Sequence, residues 1–180
     1  MGRDKALLPH PAGGSFLSHA VTVLGGPCQR VVISGAAPLA GIANLIDPVL
    51  EQGPAMGVAT ALRYAHEEGF AEVIVLAVDM PEIDAEALRR LVNVTPEPAG
   101  AIVAATFDGQ FLEPLCARYP VRYAESLHRL AGSQDRSLTR WLRNQPVVPV
   151  VLPRAAAVNL NTPDEWSRYR TETEANGNGS

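Results

Sequence analysis

Aromatic residues make up 6% of this 180-residue chain, cysteines number two, and basic residues are outnumbered by acidic ones. Each shortage excludes something. A formal net charge of −4 removes the basic surface with which a general nucleic-acid binder neutralises phosphates, although one mononucleotide needs only a few placed cations. Cys28 and Cys116 lie far apart with no partner at metal-ligand spacing, so both read as reduced core thiols. His10, His19, His66 and His128 likewise lack the spacing of a zinc site. No apolar run approaches the ~20 residues that span a bilayer. After Arg3 and Lys5 only Ala6-Leu7-Leu8 precedes Pro9, too short for a signal peptide, and Ala6 stands where a myristoylation start needs Ser or Thr. The expectation is a cytoplasmic chain with neither membrane nor nucleic acid as a partner.

What is present is globular: 47% hydrophobic and 19% charged residues, enough for one core. Four continuous apolar runs read as strands covered on both faces: Val31 to Ser34, Val73 to Asp79, Ala101 to Thr106 and Val147 to Leu152. A shorter strand candidate is Asn44-Leu45-Ile46. Helical stretches fall between them, over Phe16 to Leu24, Gly57 to Glu68, Ala85 to Val92 and Ser137 to Asn144. That alternation predicts an α/β, doubly wound, mostly parallel sheet with helices on both faces. Such folds begin on a strand whose exit loop holds the ligand, whereas here a polar turn, Gly2-Arg3-Asp4-Lys5, leads directly to a helix. The expected organisation is a domain over residues 1–170 that lacks its first strand, followed by a disordered tail over 171–180.

The candidate chemistry lies where strands end. Asp79 follows Val73 to Val78, so a buried strand delivers a carboxylate to the carboxyl edge of the sheet, where open α/β sheets bind ligands. A carboxylate there suits Mg²⁺, which takes one or two acidic ligands and fills its shell with phosphate and water oxygens; it equally suits capping of the turn amides. Asp47 ends the short strand candidate. Gly53-Pro54-Ala55-Met56-Gly57 then opens a helix, which either brings a ligand close to backbone amides or simply turns the chain. Lys5, beside Arg3, either faces a phosphate chain or is solvated. Thr162, Pro163 and Glu165 form a helix start, with Thr162 as N-cap. Asn159 and Asn161, spaced by two, share one side of an extended segment, for ligand contacts or for turn bonds.

The order of these segments is more specific than any one of them. Met1 to Pro9 (MGRDKALLP), Gly53 to Gly57 (GPAMG), Asp79-Met80-Pro81, Glu113 to Tyr119 (EPLCARY) and Asn159 to Pro163 (NLNTP) together resemble the molybdenum cofactor guanylyltransferases, from residue 1 to about Tyr169. The resemblance implies a Mg²⁺-dependent nucleotidyltransferase whose partners are GTP and molybdopterin, with transient contact to molybdoenzyme maturation proteins. It also implies Lys5 as the phosphate-binding lysine with Arg3 beside it, Asp47 near the nucleotide, Gly53 and Gly57 in its loop, and Asp79 as metal ligand. Asn159 and Asn161 would lie beside the reacting phosphates and the pterin. Two departures stand out: Ser34 and Gly35 occupy the place of the family's asparagine, and the family's opening glycine-rich loop has no counterpart in these residues. Cytidylyl or sugar-1-phosphate transfer on the same fold is the nearest alternative enzyme. A catalytically degenerate nucleotide-binding adaptor is the alternative from another class.

Overall fold

The computed structural model describes residues 5–45, 53–158, 160 and 163–177. Among them the apolar runs become strands: β1 (Val32–Ser34), β2 (Ala43–Leu45), β3 (Glu72–Leu76), β4 (Ile102–Thr106), β5 (Leu112–Pro120) and β6 (Val147–Val151). β1 and β2 pair in parallel, and a second sheet has the order β3-β5-β4-β6. β4 and β6 are parallel, but β5 runs antiparallel to both β3 and β4. The sheet is therefore mixed, which corrects the expectation of a mostly parallel one. Its cause is local. After Thr106 the chain turns at Asp108-Gly109, where the Asp108 carboxylate accepts from the amides of Gln110 and Phe111 and Gly109 takes φ of 78°. A turn this tight returns the chain beside the strand it has just left.

Helices cover both faces, as expected. α1 (Phe16–Gly25) starts in a reciprocal cap between Ser15 and Ser18. α2 (Pro54–Glu67) begins three residues before the expected Gly57, because Gly53 absorbs a φ of 74° and Pro54 is suited to the first helical turn. α3 (Ala85–Val92) is capped by the Asp84 carboxylate on the Ala87 amide at 2.8 Å. α4 (Ala124–Ala131), α5 (Leu138–Arg143) and α6 (Pro163–Gly177) follow. α6 runs well into the segment expected to be disordered. The Thr171 and Thr173 hydroxyls bond the carbonyls of Ser167 and Tyr169 one turn back. No helix among the described residues is long and apolar enough to cross a membrane.

β4 is the axis of the core, and all five of its residues are buried. Ile102 and Ala104 face one layer with Leu62 of α2, Leu127 of α4 and Leu142 of α5. Val103 and Ala105 face the other, with Leu88 and Leu91 of α3 and Cys116. This is the period-two alternation of a strand carrying two apolar faces. β3 is built from the same kinds of residue but is only half-buried, because it pairs with β5 on one side and with no described strand on the other.

β5 is anchored from within: the buried Tyr119 hydroxyl donates to the Pro114 carbonyl at 2.7 Å. That bond spans the stretch where the β4–β5 register shifts, between Ala104 and Ala105. Tyr119→Phe leaves a buried carbonyl without a partner and is expected to lower unfolding stability by about 1–3 kcal/mol. Urea unfolding measures this, and a midpoint equal to that of the parent protein would show the bond to be dispensable.

Candidate active site at the carboxyl edge of the sheet

The sequence puts a carboxylate at the end of β3, and β5 puts a second one opposite it. The β3–β5 register pairs Leu76 with Cys116, and the Ala77 amide then donates to the Leu115 carbonyl at 2.8 Å. The chain then turns at Val78-Asp79, and Asp79 comes within electrostatic reach of Glu113. The Glu113 carboxyl accepts from the Leu115 amide at 3.1 Å. Burial pushes its pKa up, and the neighbouring charge of Asp79 pushes the same way, against that hydrogen bond. Glu113 also adds to the burial that raises the Cys116 thiol to about 12, which makes Cys116 an inert core residue as expected. Cys28 is only half-buried and lines a cavity instead of the core.

The turn after Asp79 is fixed from outside its own strand. The Asp79 carbonyl accepts from the Leu160 amide at 3.0 Å, and buried Leu160 packs with Phe16 and Tyr169. His10 Nδ1 accepts from the Ala12 amide at 3.1 Å, which leaves the hydrogen of a neutral ring on Nε2, 3.2 Å from the Pro81 carbonyl. His19 stacks on His10 with centroids 3.8 Å apart and reaches the Ile83 carbonyl at 3.4 Å. The α1 region thus grips the backbone from Pro81 to Ile83.

Lys5 opens a 3-10 turn (Lys5–Leu7). Its neighbour Ala6 is buried against Leu17, Ile33 and Ala37, with Val78 packed on the same cluster. Lys5 is thus held next to a cluster that joins β1, through Ile33, to Val78, the residue before Asp79. Gly57, Ser34 and Asp79 line one cavity, together with Pro54. Gly53 caps α2 with no side chain; Pro54 has no amide hydrogen, and the Met56 amide donates to the Gly53 carbonyl at 3.2 Å. Of the expected site residues, Gly57 and Asp79 thus line one cavity, with Gly53 preceding its lining residue Pro54 and Lys5 preceding Ala6, which packs near Val78. Arg3, Asp47, Asn159 and Asn161 lie outside the described residues, although Leu160 between the two asparagines is bonded to Asp79. No group of three or more His, Cys, Asp or Glu side chains suited to a metal occurs among the described residues.

Residues 1–150 match the family model described as the MobA-like NTP transferase domain. The chain belongs to the MobA-like NTP transferase family. A "probable molybdenum cofactor guanylyltransferase" of Rhodopirellula baltica is 36% identical over 91% of this chain and 82% of its own length. Among solved structures, the "molybdopterin-guanine dinucleotide biosynthesis protein A" of Archaeoglobus fulgidus aligns with a TM-score of 0.73 at 23% identity, covering 97% of this chain and 92% of that one. A Mycobacterium tuberculosis protein in complex with manganese aligns with a TM-score of 0.70 at 20% identity, over 94% and 93% of the two chains. The nucleotidyltransferase fold and the enzyme class follow from this family membership.

Three features of the family site in this chain are not assigned by reading the sequence. Glu113 is part of a recognised motif there but receives no role; counting the register of an antiparallel β5 would have set it against Asp79. His10 and His19 look like isolated surface histidines because their partners are about seventy residues away. The Leu160 amide, as a backbone group, leaves no signal in side-chain chemistry.

Burial, and then the charge of His10, hold the His19 pKa below its ordinary 6.5. The unfolded chain therefore takes up this proton first as pH falls. Stability contributed by the neutral imidazole is complete above pH 6.5 and is lost progressively below it. His19→Phe should flatten the decline in melting temperature between neutral and mildly acidic pH. Parallel melting curves for the two proteins across that range would remove His19 as its source.

Proposed function

We propose that this chain transfers GMP from GTP to molybdopterin and releases pyrophosphate, with Mg²⁺ as the divalent ion. The observation carrying this reading is the 36% identity with a probable molybdenum cofactor guanylyltransferase over 91% of the chain. Its chemistry is consistent with the edge described above. A terminal phosphate oxygen of the pterin attacks the α-phosphorus of GTP in line; a new P–O bond forms there as the bond to the β-phosphate oxygen breaks. The acceptor arrives with its own nucleophile, so the protein contributes position and charge rather than a covalent intermediate.

Asp79, with Glu113 across from it, fits a hard divalent ion, since Mg²⁺ needs only one or two protein carboxylates when phosphates complete its shell. When bound, such an ion neutralises charge on the phosphates. Lys5 offsets the charge that develops on the departing pyrophosphate, with Arg3 beside it. Gly53 and Gly57 let the triphosphate approach the start of α2, and Asp47 contacts the nucleotide. Asn159 and Asn161 orient the pterin.

Asp79→Asn keeps the side-chain volume and removes the charge that the ion requires. Turnover of GTP with molybdopterin should fall by about a hundredfold or more, while the melting temperature stays unchanged. Near-parental turnover would return Asp79 to a turn-capping role. For Asn161→Ala, the expected result is weaker use of molybdopterin with GTP affinity retained. A turn residue would instead lower stability by ~1 kcal/mol and affect both substrates alike, so two affinities and one melting curve separate the readings.

A further inference from the structure

Besides the cavity lined by Asp79, a second one of about 410 Å³ is lined by Phe107, Phe111, Glu113, Arg154 and Ala157 among others. That volume falls within the range of about 300–1,000 Å³ usual for small-molecule sites. β3, β4 and β6 run parallel to one another, because β5 opposes both β3 and β4, so their carboxyl ends share one edge. In the order β3-β5-β4-β6 the first cavity lies against β3, and the second lies where β4 ends, β5 begins and β6 ends. Glu113 stands between them. It lines the second cavity, and its carboxyl feels the charge of Asp79, which lines the first.

One wall of the second cavity is the turn between β4 and β5, and it is locked. The Asp108 carboxylate accepts from the Gln110 and Phe111 amides at 2.8 and 2.9 Å, and the Thr106 hydroxyl accepts from the Gly109 amide at 3.0 Å. Phe107 and Phe111 flank this turn. Phe107 packs half-buried against one core layer, whereas Phe111 is 60% exposed. The Arg143 guanidinium lies over the Phe111 ring, 5.8 Å from its centre, and does not line the cavity. A rigidly mounted ring, backed by a cation and bordering a cavity, is a platform for another flat ring. The opposite wall is the Arg154–Ala157 turn after β6, and Asn159 follows two residues later. Among the described residues Arg154 is the only basic one lining this cavity, and it has no salt-bridge partner there.

We propose that Phe111 and Arg154 are specificity-determining residues for the acceptor: its planar bicyclic ring lies on Phe111, and Arg154 takes the anionic sulfurs carried between ring and phosphate. The inference rests on the acceptor being molybdopterin, as proposed above, and adds the residues that select it. A ring in this cavity lies across Glu113 from Asp79, so the terminal phosphate can point to the Asp79 edge. The first cavity, with Gly57 and Asp79, is left to GTP. A sugar 1-phosphate offers neither a flat π face to Phe111 nor a thiolate to Arg154, so it gains nothing from either.

The test is binding calorimetry on residues 1–180 with neopterin 3′-phosphate, a pterin without sulfur, and, under anaerobic conditions, with molybdopterin. Phe111→Ala should weaken both by about tenfold or more. Phe111→Leu should weaken them alike, since bulk without a π face does not replace the ring, and Phe111→Trp should restore them. Arg154→Gln should weaken molybdopterin by about tenfold and leave neopterin phosphate unchanged. GTP affinity and melting temperature should stay parental in every variant, because both side chains are exposed. Parental pterin affinity in Phe111→Ala or Phe111→Leu would overturn the stacking role. Equal losses of the two pterins in Arg154→Gln, or no loss of either, would overturn the sulfur contact. Weaker GTP binding in Phe111→Ala would mean that the cavity takes the guanine base and would overturn the assignment to the acceptor. A parent chain that binds GTP and neither pterin would sink the proposed acceptor itself, an outcome distinct from a parent that binds and variants that bind equally well.

Discussion

A carboxylate just beyond the end of a strand is useful only if the chain around it cannot drift. In this protein the constraint is met by backbone hydrogen bonds made to the turn from outside. The Asp79 carbonyl is bound by the Leu160 amide and the Pro81 carbonyl by His10. His19 stacks behind His10 and reaches Ile83. Each bond ties a different stretch of chain to one short turn, so the amino-terminal segment, the end of β3 and the segment before α6 meet at one place. Remove that turn from its grip and Asp79, Lys5 and the asparagine-bearing segment lose their common reference.

The reversed strand β5 is the second requirement. Antiparallel pairing with β3 is what carries Glu113 back to the edge at which β3 ends, opposite Asp79. A parallel neighbour would have placed its corresponding residue at the start of a strand, on the far side of the sheet. The same strand supplies Cys116 and Ala117 to opposite core layers, so its direction is fixed by packing as well as by the Asp108-Gly109 turn. The approach of Glu113 to Asp79 and the core packing thus depend on one hairpin.

The two histidines show how a structural role and a site role merge. Among the described residues neither belongs to a group of side chains suited to a metal, and the stacked pair works as a spacer between α1 and the turn. Burial favours the uncharged ring of His19, and the uncharged ring is what allows a 3.8 Å stack without repulsion. Their contribution is positional, made through the backbone of residues next to the carboxylate.

Local pattern carried much of this in the sequence itself. The continuous apolar runs specified β1, β3, β4 and β6, because strands covered on both faces admit no polar alternation. The Gly53-to-Gly57 segment marked the opening of a helix, which begins at Pro54. The ordered motifs, from Lys5 through Asp79 to Asn161, specified the family, since they record side-chain chemistry at fixed points of the chain. Tertiary structure alone decided what depends on distant partners: the reversal that makes the sheet mixed, the pairing of Glu113 with Asp79, and the hold of His10, His19 and Leu160 on the turn. It also decided the open edges of β1 and β3, because whether an apolar strand is buried depends on its neighbours in space and not on its own residues.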